Sequence, residues 1–353
     1  WHDTNVTISK ECPWLEDSYD AMLVAEKLSI PFQVIDLSKD YKKKIVDYMF
    51  EEYKKGRTPN PDILCNKEIK FDLFLDIAVS LGADYIATGH YAQIQKSKKN
   101  SEYTYHLNAG KDKSKDQSYF LCQLNQFQLS KTIFPIGNIS KKEVRKIAKE
   151  NLLITADKKD SQGLCFIGKV KLPDFLQQSL KAKNGDVVLI DKSFYVNENK
   201  ILENDIDISS QQIKYNKTDG EIIGNHKGAH FYTIGQRKGL SIGGREKPLY
   251  IISTDVINNI IYVGEGADHP GLFRSSLRVY LKKLHFLSHN REILNLNNIK
   301  ARIRYRQALQ DVSVIKNSEF YFFNFKRPQK AISSGQFIAL YENEELICSG
   351  VID

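Results

Sequence analysis

The sequence predicts an α/β fold over the first part of the chain and a small antiparallel β-barrel or sandwich at its end. Three observations carry this. Over the first 150 residues or so, helical and strand spacings alternate. After about residue 168 the texture becomes irregular. From about residue 274 apolar and polar residues alternate one by one. The 353 residues suffice for two to three domains at roughly 100–200 residues each, and the 41% of apolar residues suffices for their cores.

In order along the chain, Tyr19, Met22, Leu23 and the apolar positions up to Leu28 recur at helical spacing, and Pro31 ends that helix. Residues 32–37 read as a buried strand. Tyr41, Ile45, Tyr48, Met49 and Tyr53 mark a second helix, stopped by Gly56. Ile69, Leu73, Ile77 and Leu81 mark a third, closed by Gly82, and residues 85–88 follow as a strand. Strands separated by helices imply a parallel sheet, whose ligands sit beyond the carboxyl ends of the strands. Ser140 with Glu143 forms a capping box that opens a helix over 140–150. Residues 192–220, rich in Asn, Asp, Ser, Lys and Ile, read as an insertion or long loop. In the tail, Ala301, Ile303 and Tyr305, then Phe320 and Phe322, then Phe337, Ala339 and Tyr341 each point one way, and 346–352 returns after a turn at 342–345.

Composition narrows the function. The 18 Tyr and 18 Phe argue against disorder. No run of about 18 apolar residues occurs, so no membrane partner is expected, and no signal peptide is expected from the opening residues. The first residue is Trp1, from which an N-terminal loss is expected. Five scattered cysteines (Cys12, Cys65, Cys122, Cys165, Cys348) match neither a secreted disulfide framework nor a zinc site, so a cytoplasmic setting is expected. The net charge of +8, with lysines clustered at 42–44, 96–99 and 111–115, favours a polyanionic partner over merely solvated faces.

Two cysteines stand in unusual settings. In Gly56-Arg57-Thr58-Pro59-Asn60-Pro61-Asp62-Ile63-Leu64-Cys65, two prolines one residue apart force a stiff extended loop. With Asp62 as N-cap of the third helix, Cys65 falls in its first turn, where the dipole favours a thiolate. A capping Asp and a small buried Cys is the plainer alternative. Cys165 lies in Asp160-Ser161-Gln162-Gly163-Leu164-Cys165-Phe166-Ile167-Gly168, bracketed by glycines in a segment without period, hence a movable loop or a structural cysteine. Gly89 closes a strand in Ala87-Thr88-Gly89-His90-Tyr91, where a nucleotide can approach backbone. Lys115, Asp116, Gln117 and Ser118 cap a helix over 119–124. Residues 232–240 form a glycine-bracketed basic loop. Arg302, Arg304 and Arg306 alternate on one strand face beside Tyr305, either a phosphate-and-stacking surface or an ordinary charged outer face.

These segments together resemble the tRNA-specific 2-thiouridylase family. The resemblance runs along nearly the whole chain through GRTPNPDILCNKEIKF, ADYIATGHY, KDQSYFL, KKDSQGLCFIG, YTIGQRKGL, DHPGL and RYRQ, in the family's order. It implies a Rossmann-like ATP-pyrophosphatase domain over 1–168, a small central domain over 169–272 with an insertion near 192–220, and a C-terminal β-barrel over 273–353. It implies ATP-dependent 2-thiolation of the wobble uridine in tRNAs for Lys, Glu and Gln, with Mg2+ accompanying ATP. Carried over by motif, Cys65 resembles the family's nucleophile, Cys165 its persulfide carrier and Asp62 an acid/base residue. Asn60, Pro61 and Asp62 match the segment at the target base, and Gly89 an ATP contact. Lys115, Asp116, Gln117, Arg304 and Tyr305 match tRNA contacts. The resemblance also implies a persulfide donor, a cysteine desulfurase or a relay protein.

The family's Ser-Gly-Gly-Val-Asp-Ser-type phosphate loop occurs nowhere in the sequence. The first strand, that loop and the first helix are therefore expected to be absent, and ATP chemistry by the chain as given is expected to suffer. Three alternatives remain. An ammonia-using ATP-pyrophosphatase would need no cysteine pair. A tRNA-binding protein without catalysis would need no phosphate loop. An iron–sulfur cluster would draw on Cys65, Cys165 and Asp62, but no C-x-x-C spacing supports one, and no other metal site is expected.

Overall fold

The computed structural model describes residues 13–159, 172–196, 205–240, 242–288, 293–296 and 298–353. Cys12 and Cys165, with the loop around the latter, lie outside the described residues, as do residues 197–204 of the expected insertion.

The helices stand where spacing places them. After Pro13–Lys27, a helical run built of Ser38–Tyr41, a π-helical Lys42–Val46 and Asp47–Lys54 ends at Gly56. A second run, Pro61–Cys65, a π-helical Asn66–Leu73 and Phe74–Ser80, ends at Gly82. Both glycines are left-handed, at φ +73° and +95°, which is why each run stops there. Ser140 and Glu143 form the expected capping box ahead of Lys141–Glu150. The expected helix over 119–124 is instead one 3₁₀ turn, Ser118–Leu121.

Residues 32–37 do not form the expected buried strand. They take no regular structure, and Phe32 and Val34 are 41% and 57% exposed. A strand needs a partner for its backbone groups, and among the described residues none lies beside this segment. The parallel sheet expected from the helix–strand alternation is correspondingly small. β1 (Ile86–Ala87) pairs in parallel with β4 (Thr132–Ile133) and with no other described strand.

The central region holds a four-stranded sheet in the order β6 (Glu221–His226), β5 (Gly185–Leu189), β8 (Ile260–Glu265), β7 (Leu249–Asp255). What is described of 192–220 is packed rather than loose. Tyr195 and Tyr215 are buried, their hydroxyls bonded to one another, and Asp205 caps the short helix Ile206–Ser209.

The largest sheet among the described residues has nine strands. Its path is β2 (Ala92–Lys99), β3 (Glu102–Ala109), β15 (Glu345–Val351), β14 (Phe337–Glu342), β11 (Ile299–Arg302), β12 (Gln310–Lys316), β13 (Phe320–Lys330) and β9 (Phe273–Tyr280), with β10 (Leu284–Phe286) beside β15. The C-terminal strands curl so that Leu277 and Val279 of β9 share an interior with Ile338, Leu340 and Ile347. Strands β2 and β3 belong in sequence to the first domain, yet β3 pairs antiparallel with β15 through Glu345–Asn108 and Leu346–Leu107. The core follows this seam: Ile63, Phe71 and Tyr119 pack in one cluster with Phe337, Ala339 and Tyr341. No described helix is long and apolar enough to cross a membrane.

Candidate active site

The Thr58-Pro59-Asn60-Pro61 loop is held by three parts of the chain. Asn60 is extended and its Oδ1 accepts from the Ile63 amide at 3.2 Å, so Asn60, not Asp62, caps the helix, with Pro61 at its first position. From the C-terminal sheet, Gln336 Nε2 donates to Thr58 O at 3.1 Å and Pro59 O at 3.2 Å, while its Oε1 accepts from Asn60 Nδ2 at 3.2 Å. The Thr58 amide donates to Ser334 O at 2.8 Å. Gly335 between them has φ +89°, and a Cβ there would sit 3.0 Å from Thr58 O, so the two loops touch through bare backbone. From the basic loop of the central region, Thr233 shares a 3.3 Å hydrogen bond with Thr58. Arg57 bonds Glu52 at 2.8 Å and Ile352 O at 3.1 Å, which anchors the loop's entry.

This shifts the register expected from sequence. Asp62 becomes the second helical residue, partly exposed where the dipole favours a carboxylate. Cys65 becomes the fifth and is fully buried, not exposed in the first turn. It lies in an apolar cluster with Tyr41, Ile45, Met49, Ile69, Phe175 and Phe231. Phe175 and Leu176 of that cluster come from Leu172–Leu176, the short helix that begins seven residues after Cys165 in sequence.

The remaining residues connect to this helix stepwise. Asn66 Nδ2 donates to Phe120 O at 3.0 Å, while its buried Oδ1 has no partner among the described residues. The Phe120 ring lies 4.4 Å from that of Tyr305, between centroids. Gly89 is exposed just past the carboxyl end of β1, with only Ile136 Cδ1, at 3.9 Å, near the position of a Cβ, so its backbone is open to a ligand. His90 beside it packs on Phe71 and shares a 2.8 Å hydrogen bond with Thr88. Burial, with Lys70 nearby, pulls the His90 pKa down to about 3, so its ring is neutral. Tyr91 and Gln117 exchange two bonds, Tyr91 N to Gln117 Oε1 at 3.0 Å and Gln117 N to Tyr91 O at 2.9 Å.

Arg302, Arg304 and Arg306 do not share one strand face. β11 ends at Arg302, and the chain then turns through Arg306 at φ +66°. Arg302 is buried and ion-paired with Asp116. It also donates to Ser118 Oγ at 2.9 Å and to Tyr341 Oη at 2.6 Å. Asp116 in turn accepts from the amides of Gly110 at 3.0 Å and Ser118 at 3.1 Å. The Asp116 carboxylate thus faces protein, and its part is to fix the loop that carries Lys115 and Gln117. Arg304 is exposed in part and donates to Ala331 O, and Tyr305 is half-buried. Gln336 and Thr233 were not legible as site residues, because their partners lie 278 and 175 positions away.

Comparison with known proteins agrees along the whole chain. Residues 1–169 match the family described as tRNA methyl transferase HUP domain, 173–265 the tRNA methyl transferase PRC-barrel domain and 276–352 the aminomethyltransferase beta-barrel domain. Three curated relatives, each a tRNA-specific 2-thiouridylase, align with all of this chain. That of Flavobacterium johnsoniae is 56% identical over 91% of its own length, and that of Christiangramia forsetii is 55% identical over 91%. That of Shouchella clausii is 43% identical over 87%.

Proposed function

This chain belongs to the tRNA-specific 2-thiouridylase family, and we propose that it thiolates the wobble uridine of tRNAs for Lys, Glu and Gln through a relay from Cys165 to Cys65. The observation that carries this reading is convergence. Asn66, next to Cys65 on the helix that Asn60 caps, bonds Phe120; Phe120 bonds Gln117 and packs on Tyr305; and Gln117 bonds Tyr91, two residues past Gly89, so segments far apart in sequence are joined beside the buried Cys65.

Uridine O2 is a poor leaving group. It attacks the α-phosphate of ATP, pyrophosphate departs, and C2 then bears an adenylate. ATP is the substrate here, and the open backbone at Gly89 suits an adenosine, with Mg2+ accompanying the phosphates. A persulfide on Cys165, loaded by a donor protein such as a cysteine desulfurase, attacks C2 with its outer sulfur and AMP leaves. The Cys65 thiolate attacks the inner sulfur, the S–S bond to the base breaks, and a Cys65–Cys165 disulfide forms. External thiols reduce it and restore both cysteines. Asp62, at the helix start, moves the proton between solvent and base.

Buried Cys65 must be uncovered for this. Its cover includes Phe175 and Leu176 of a five-residue helix, too short to hold itself without packing. The matched domain families bear methyl-transferase names, but the curated relatives that align with all of this chain are 2-thiouridylases, which favours sulfur transfer over methyl transfer.

The test is thiolation of a matching tRNA by the complete enzyme, phosphate loop included, with a persulfide donor. Cys65→Ser and Cys165→Ser each abolish product, Cys122→Ala retains it, and labelled sulfur collects on Cys165. Full turnover by Cys165→Ser would overturn the relay and point to free sulfide or, with a visible absorption band after anaerobic purification, to a cluster.

A further inference from the structure

The hairpin β2–β3 changes character along its length. On one face, Ala92 pairs with Ala109 and Ile94 with Leu107, and these positions pack into the core shared with the C-terminal sheet. Farther out on the same face, Lys96 lies opposite Tyr105 and Lys98 opposite Tyr103, and apart from the half-buried Tyr105 they stand in solvent. Period two carries the acidic residue at the tip, Glu102, and its partner Lys99 to the other face.

The Lys and Tyr side chains form a ladder. Lys96 Nζ stands 3.7 Å from the centroid of Tyr103 and 5.6 Å from that of Tyr105, and Lys98 Nζ stands 5.3 Å from Tyr103. Among the described residues neither lysine has a carboxylate partner. A protein that leaves two ammonium groups stacked on tyrosines and unpaired with acid presents them to an anion. The ring faces are occupied by the ammonium groups, which disfavours base stacking and favours phosphate oxygens, met by ammonium and phenol hydroxyl together.

The position of the arm selects the source of those phosphates. Its root continues through Gly110, whose amide bonds Asp116, into the loop with Lys115 and Gln117. From Ala109 to Tyr103 six residues reach roughly 20 Å outward. We infer that the β2–β3 arm grips the phosphodiester backbone of the duplex stem next to the tRNA loop under modification. The inference rests on the tRNA-thiolating reading above.

The decisive variant is Lys96→Ala with Lys98→Ala, on solvent-exposed positions remote from Cys65. With the full chain and a substrate tRNA, the slope of log affinity against log salt falls in magnitude by about 2, near the 0.9 per phosphate expected for duplex contacts. KM for tRNA rises several-fold while kcat holds. Tyr103→Ala weakens binding without altering the salt slope. A single-stranded oligonucleotide of the loop sequence alone shows no difference between the double variant and the parent. Unchanged slope and KM in a parent that thiolates tRNA would overturn the arm and leave the function standing. Equal losses toward heparin with unchanged KM would overturn it as a nonspecific cation patch. A parent that neither binds nor thiolates tRNA would overturn the reading beneath it, and the arm with it.

Discussion

Residues 337–341 and 32–37 both read from sequence as strands, and the molecule treats them in opposite ways. The first forms most of β14, bonded on one side to β15 and on the other to β11, and each of its five side chains is buried. The second has no strand partner among the described residues and leaves Phe32 and Val34 in solvent. Gln33 and Asp36 make the second less apolar, but that alone does not decide which run becomes a strand. Pairing does, because a strand is stable only when its amides and carbonyls are met. The candidate site follows this contrast: the Pro-locked loop, the Asp116 loop and the Phe120–Tyr305 contact are all tied to the C-terminal sheet.

The largest effect expected from that dependence is at the seam. Arg302→Ala leaves the buried Asp116 carboxylate without its counter-charge, and a cost of about 3–5 kcal/mol follows. Removing the exposed Lys113–Glu344 pair by Lys113→Ala costs under about 1 kcal/mol. Denaturant melts of the two variants measure the difference. Equal, small losses would mean that the seam does not bear the site, and the comparison would break.

How far the sequence foretold this depends on how local each signal is. Gly56, Gly82 and the Ser140–Glu143 box act within one turn of chain, so the helix boundaries were legible. The alternation in 320–351 likewise marked the C-terminal strands. The buried Asp116–Arg302 pair was not legible, and Arg302 was read as a surface charge, because the two partners lie 186 residues apart. The cap moved from Asp62 to Asn60 because Pro61 suits the first helical position, a preference the sequence displayed. The β2–β3 hairpin went unread because in sequence its lysines count only as part of the overall positive charge, not as one face of a strand. Asn100 and Ser101 at its turn, with φ +48° and +69°, and the alternation of Tyr103, Tyr105 and Leu107 were the available signs.

A smaller effect sharpens the comparison from the first domain. His90 is held neutral with its pKa near 3, against an ordinary value of 6.5. The unfolded chain therefore binds one more proton than the folded chain between those values. Stability from this group is complete above pH 6.5 and is lost as pH falls toward 3. Between pH 7.5 and 5 the loss is about 2 kcal/mol by linkage. His90→Gln removes that increment, so the difference in pH dependence between parent and variant, read from denaturant midpoints, isolates it. Parallel pH curves would show that this pocket admits water and that the first domain is looser than its packing around Phe71 suggests.

The smallest effect is the most direct test of the contrast. Phe32 and Val34 are 41% and 57% exposed in a segment without strand pairing, so Phe32→Ser combined with Val34→Ser removes less buried area than truncating a core side chain does. The change in stability should stay within about 0.5 kcal/mol per position, as for surface substitutions elsewhere. Ile338→Ala, in the paired and fully buried counterpart, should cost about 2–5 kcal/mol through lost transfer energy and the cavity left behind. Because exposed apolar side chains promote association, the double serine variant should also remain monomeric to higher concentration by light scattering than the parent. If Phe32→Ser with Val34→Ser instead destabilised the chain as much as Ile338→Ala, those side chains would be covered in solution. Residues 32–37 would then be a core strand after all, as their sequence first suggests.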